Sequence, residues 1–372
     1  MTDIELQESD DANHEFTLFL PKSQNNRFHR MITWMTKICT KKAKILCSVF
    51  SNVYVRAYCA GFLILSFIII SFVLLIGRAI FPISSSTEND CDVLALSGGG
   101  ARGSFEVGVL KNLYSTSDSF PDIVTGVSVG ALNSIMLSTS SELKRSIASL
   151  KNIWFNLTTD DIYKSHLFPL LQRSVYDTAP LRKTLLTMLG QYGHTPFRPI
   201  YILATSLNDG SPIIFNRTDF SSIDRAVDIL LASSSVPVLF PPIEIDGMYL
   251  VDGGLFSNTL IQPAIDFCRR TNPSRRVIIT AIVCSGLEKY DTTEYLKSLK
   301  IIGLAQRAFQ IGENSLFNHA VYTYGKIIDE NMTIRIITPI EPLKGGLLDF
   351  DLTYIQNNYD IGLRSATNIK IL

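Results

Sequence analysis

Val93-Leu94-Ala95-Leu96-Ser97-Gly98-Gly99-Gly100-Ala101-Arg102-Gly103-Ser104-Phe105 reads as a short apolar strand, a glycine turn and the start of a helix. Consecutive glycines let the backbone turn sharply and leave its N–H groups unshielded. N–H groups gathered at a helix N-terminus stabilise an anion. That anion can be a phosphate or the oxyanion of acyl transfer. A nucleotide loop fails on detail, because no Gly-Lys-Ser/Thr follows and the spacing is not G-x-G-x-x-G.

Working outward, short apolar runs alternate with helical patterns from residue 83 onward. Residues 93–96, 122–125, 200–204, 243–245 and 277–283 read as strands. Helices are expected near 104–114, 129–138, 141–153, 181–189, 222–232, 260–270, 293–318 and 352–363. Strand–helix alternation predicts an α/β domain with a mainly parallel central sheet. About 290 residues suffice for a core without staples.

One strand–helix unit further on stands Gly126-Val127-Ser128-Val129-Gly130. A strand precedes it and a helix follows, as a G-x-S-x-G nucleophile elbow requires. The helix N-terminus behind Ser128 favours negative charge developing beside it. A serine nucleophile needs a base. His166, His194 and His319 carry no supporting motif, and each reads as a surface or packing residue. The better candidate is Asp252, which ends an apolar run and precedes Gly253-Gly254. By itself that is an ordinary Asp-Gly turn; beside the other two motifs it reads as the base.

Ser97–Gly103, Gly126–Gly130 and Asp252–Gly254, in this order, resemble the patatin-like phospholipase family. The segment Ala232-Ser-Ser-Ser-Val-Pro-Val-Leu-Phe-Pro-Pro242 also resembles it. The likeness is clearest over residues 91–270 and implies a three-layer α/β domain over 91–372. It further implies a Ser–Asp dyad without histidine, hydrolysing fatty-acyl esters of phospholipids or related lipids. Ser128 would be the nucleophile and Asp252 the general base. Gly98, Gly99 and Gly100 would form the oxyanion hole, supported by Arg102 and Gly103. Gly126 and Gly130 would shape the elbow, and Gly253 and Gly254 the turn after the base. Neither cofactor nor metal is expected. The alternative is a catalytically silent membrane scaffold or binding protein on the same fold.

Upstream, the composition changes. The whole chain balances 34 Lys+Arg against 34 Asp+Glu, which argues against a basic nucleic-acid-binding surface. Residues 1–21 carry six acids and no Lys or Arg, whereas residues 22–56 carry eight bases and no acid. Ala57–Gly77 then runs 21 residues without a charge, close to the ~20 that span a bilayer. A transmembrane anchor over 57–77 is expected, followed by a linker over 78–90 and preceded by a tail over 1–56. Apolar residues at three- and four-residue steps among the lysines of 31–53 fit either an amphipathic surface helix or a solvated linker. The basic flank places the N-terminus in the cytosol and the domain on the other side. Membrane lipid and the bilayer are the expected partners. Three sequons, at Asn156, Asn216 and Asn331, match chance frequency and decide nothing. Cys91, Cys268 and Cys284 can form one disulfide or none.

Overall fold

The computed structural model describes residues 90–284, 297, 299–327 and 330–372. The tail, the apolar segment 57–77 and the linker up to residue 89 lie outside the described residues, so the expected anchor does too. No helix among the described residues is long and apolar enough to cross a membrane.

The chain runs β1 (Asp90–Leu96), α1 (Ser104–Leu113), β2 (Ile123–Val127), α2 (Val129–Ser138) and α3 (Leu143–Asn156). A small hairpin of β3 (Lys164–Ser165) and β4 (Tyr176–Asp177) leads into α4 (Ala179–Tyr192). Next come β5 (Ile200–Ser206), β6 (Pro212–Asn216), α5 (Ile223–Ser233), β7 (Ile243–Ile245) and β8 (Met248–Asp252). The last part comprises α6 (Gln262–Thr271), β9 (Arg276–Ile282), α7 (Ile301–Ile327), β10 (Met332–Ile337), α8 (Leu352–Ser365) and β11 (Ile369–Ile371).

Nine strands form one sheet in the order β11-β10-β9-β1-β2-β5-β8-β7, with β6 also paired to β5. Its centre, β10 through β5, is parallel. The antiparallel pairings, with β11, β6, β7 and β8, lie outside that centre. Strand periodicity explains the layering. On β1, Leu94 and Leu96 join one core with residues of α1 to α5 and α8. Cys91, Val93 and Ala95 join a second core with Ile265 and Cys268 of α6 and Phe317 of α7. Both faces are therefore covered, as parallel sheets require.

The expected α/β domain with a mainly parallel central sheet is present. Helix α7 lies further along the chain than the expected 293–318, and it starts at Ile301 within the described residues. Strands β3, β4, β6, β8, β10 and β11 were not anticipated, although the apolar run that forms β8 was noted as leading to Asp252. A disulfide joins Cys91 of β1 to Cys268 of α6, 177 residues apart. Cys284 is buried and free.

Candidate active site

Two strand–helix corners and one strand end meet here. Ser128 sits between β2 and α2 with φ 53° and ψ −124°, a positive φ that costs a non-glycine residue of order 1–3 kcal/mol. Such strain persists only when the surroundings impose it. The Ser128 N–H donates to Ser233 Oγ at 3.0 Å, and that hydroxyl donates to Leu203 O at 2.6 Å. Gly130 N–H donates to Ser97 O at 3.1 Å. A Cβ at Gly130 would stand 2.5 Å from both the Leu96 and Ser97 carbonyl oxygens, so only glycine lets α2 start this close to β1. Gly126 is equally enclosed, with the Gly130 oxygen 2.5 Å from where its Cβ would be.

Asp252 ends β8 and is fully buried. The Gly254 N–H donates to its Oδ1 at 2.8 Å. Its own N–H donates to Ser235 O at 3.0 Å, and Thr205 Oγ1 donates to its carbonyl at 3.1 Å. Gly253 packs against the backbone of Leu203, leaving 2.4 Å between a notional Cβ and that carbonyl oxygen. Burial pushes the Asp252 carboxyl up to about 7, against the pull of the Ser128 side chain and the Gly254 N–H. Ser128 is thus near enough to favour the charged carboxylate, yet Asp252 Oδ2 has no partner in full hydrogen-bond geometry. We read this as a loose resting contact of the kind that tightens when substrate seats.

The glycine loop packs against the same point. A Cβ at Gly98 would lie 3.3 Å from Ser128 Cβ. The expectation that Gly98, Gly99 and Gly100 all offer N–H groups to an oxyanion is narrowed. Gly98 N–H already donates to Asn258 Oδ1 at 2.9 Å. Gly99 and Gly100 line the cavity beside Ser128. Gly100 has φ +58° and lies against the Leu347 carbonyl. The loop is held from behind: Ala101 N–H donates to Leu347 O at 2.8 Å, and Arg102 donates to Gly345 O through Nε and Nη2. Gly103 lies under Val129 and Trp154.

A narrow cavity of about 80 Å³ opens beside Ser128 and Gly99. Leu132, Leu150, Ile153, Trp154, Leu181, Leu185, Met188, Val236, Phe240, Phe309 and Phe350 make its wall largely apolar. Its few polar groups include Asn133, Ser234 and Glu313. None of the three domain histidines lines it. Burial raises Glu313 well above the usual carboxylate range, and the Asp252 charge adds to that while Arg102 opposes it. That direction favours the protonated form of Glu313.

Several supporting residues escaped sequence reading. Ser233, Ser235 and Asn258 hold Ser128, Asp252 and the glycine loop in place. Asn133 Nδ2 donates to Gly103 O and to Glu106 Oε2, while Trp154 Nε1 donates to Asn133 Oδ1. Only Ser233 and Ser235 had a signal, in the run Ala232–Pro242 that carried the resemblance.

These motifs have known counterparts. Residues 94–265 match the family model described as patatin-like phospholipase. That stretch, a little under half of the chain, is similar to the patatin-like phospholipase family. Among curated relatives, a cGAMP-activated phospholipase of Escherichia coli is 30% identical over 194 residues, covering 45% of this chain and 52% of that protein. A cGAMP-activated phospholipase of Vibrio cholerae is 26% identical over 205 residues, covering 46% and 56%. Triacylglycerol lipase 5 of Saccharomyces cerevisiae is 30% identical over 168 residues, covering 40% and 22%. The chain spans about half the length, or less, of these relatives.

Proposed function

We propose that the domain is a serine acyl hydrolase that cleaves fatty-acyl esters of phospholipids or related lipids through a Ser128–Asp252 dyad. The carrying observation is that a strained serine, a buried carboxylate and a glycine loop meet at the head of an apolar cavity. Asp252 takes the Ser128 hydroxyl proton as Oγ attacks the ester carbonyl. The Gly99 and Gly100 N–H groups receive the oxyanion. Asp252 returns the proton to the departing alcohol, leaving an acyl-serine. Water, deprotonated by the same carboxylate, then attacks the acyl-serine. Ser128 Oγ leaves with that proton, and the fatty acid is released.

The apolar wall supports an acyl chain as the buried part of the substrate. The relatives' names include both phospholipases and a triacylglycerol lipase, so the head group stays open. A panel of lipid classes tests the reading, with Ser128→Ala and Asp252→Ala as controls. Each variant should lose activity by about a thousandfold or more, and the double variant should be little worse. A fluorophosphonate should label Ser128. Folded protein with no turnover and no labelling would favour the scaffold reading.

We further propose that residues 57–77 anchor the protein, with the N-terminal tail cytosolic and the domain on the opposite face. The eight bases before the segment support this. So does the Cys91–Cys268 disulfide, since such bonds persist in oxidising compartments.

A further inference from the structure

The hairpin before α4 carries an apolar tip that nothing in the described fold covers. Between β3 and β4 the chain reads Ser165-His-Leu-Phe-Pro-Leu-Leu-Gln-Arg-Ser-Val175. Leu167, Phe168, Leu170 and Leu171 are 85, 63, 99 and 81% exposed. Monomeric proteins rarely leave such clusters in water without an interaction to make. The tip is not loose chain. Leu171 N–H donates to Phe168 O at 3.1 Å and Gln172 N–H to Pro169 O at 3.0 Å, so a tight turn holds the side chains outward.

The hairpin is fastened to the cavity wall. Val175 N–H donates to Val238 O and Tyr176 N–H to Leu239 O. The Tyr163 and Tyr176 rings pack at 4.4 Å with a 50° tilt, and both lie near Phe240, a cavity residue. Tyr163 Oη donates to the carbonyl of Leu348, another cavity residue. Val238, between cavity residues Val236 and Phe240, is itself 60% exposed. Apolar surface therefore continues from the acyl cavity, over the 236–240 segment, to the tip.

Charge narrows the choice of occupant. From Ile162 to Tyr176 the segment carries Lys164, His166 and Arg173 and no acid. Arg173 is exposed beside the tip, its guanidinium 4.4 Å from the Tyr249 ring. Lys164 is exposed at the base of the hairpin, where it pairs in register with Asp177 and shares a recess with Asp160, Asp161 and Lys183. An apolar tip with a cation at its edge and no acid between Ile162 and Tyr176 matches acyl chains below a layer of phosphate headgroups. We propose that Leu167–Leu171 inserts into the lipid bilayer beside the active site and admits acyl chains to the cavity. This rests on the acyl-hydrolase reading for its purpose, but docking can be measured without catalysis.

The experiment uses full-length protein reconstituted into phosphatidylcholine–phosphatidylserine vesicles. Leu170→Trp places a reporter at the tip. Lys370→Trp places a control on an exposed residue of β11, an edge strand of the nine-stranded sheet, to which the hairpin does not belong. Emission of the parent, from Trp34 and Trp154, is subtracted. Lipids brominated on the acyl chains should quench the tip reporter at least twofold more than the control. Equal quenching overturns the proposal, whether a second copy or another segment of the chain covers the tip instead. A second measurement uses Phe168→Asp/Leu170→Asp, whose exposed side chains leave the core untouched. Hydrolysis of vesicle lipid should fall at least tenfold, while hydrolysis of a soluble short-chain acyl ester stays within twofold. An equal fall on both substrates would make the loop part of the catalytic framework and overturn docking. Parent protein inactive on both substrates, with the tip still quenched, would sink the hydrolase reading and leave docking standing.

Discussion

At the scale of single residues, the buried carboxyls set opposite pH trends for activity and stability. In the proposed mechanism Asp252 must be ionised to accept a proton, and burial holds its carboxyl up to about 7. The predicted kcat/KM therefore rises with pH and levels off above that value; a profile flat from pH 5 to 8 would remove Asp252 as the base. Stability should run the other way. Burial also raises Glu106 to about 8 from its ordinary 4.5 and Asp92 to about 6. The native state keeps protons that the unfolded chain releases, so stability is complete below about pH 4 and is lost as pH rises towards about 8. Glu106→Gln should flatten the fall of Tm between pH 6 and 8. Burial and the nearby Asp252 charge also raise Glu313, which favours its protonated form. If that form persists during turnover, Glu313→Gln should leave the activity midpoint near 7; a downward shift of a full pH unit would show that Glu313 carries charge.

At the scale of elements, the corner between β2 and α2 depends on residues that sequence patterns do not flag. Ser233, at the end of α5, holds the Ser128 N–H and caps the Leu203 carbonyl. Ser233→Ala should lower kcat by tenfold or more with KM little changed, and should cost about 1–3 kcal/mol of stability from the unpaired buried groups. Unchanged kcat with a lower Tm would make its role purely structural. The three glycine motifs were legible because each needs a residue without Cβ next to a chemically competent one. Their partners were not, because Asn258 meets Gly98 across 160 residues of chain and no local pattern encodes that meeting. Strands show the same limit. β1, β2, β5 and β9 are apolar runs and read directly. β6 opens on Pro212 and β11 has three residues, so neither presents a strand-length run. β10 follows a helix whose end the sequence left poorly marked.

At the scale of the whole molecule, the proposed orientation of the domain across a membrane rests on two independent features. The basic residues 22–56 resist translocation, and the disulfide between β1 and α6 closes a loop of 177 residues. Closing so long a loop restricts the unfolded chain, and losing such a bond costs about 2–5 kcal/mol. Cys91→Ser/Cys268→Ser should therefore lower the unfolding free energy by that amount, measured by denaturant on protein kept in detergent. In sealed vesicles with the cytosolic face outward, added protease should trim the tail and spare residues 83–372. The spared fragment should carry the disulfide, seen as a mobility shift on reduction. Digestion of the domain in the same vesicles, with both cysteines open to a thiol reagent, would place it in a reducing compartment. The Ser128–Asp252 chemistry would survive that result. The proposed orientation would not, and Leu167–Leu171 would then face the cytosolic leaflet, where anionic headgroups favour the exposed Arg173 still more.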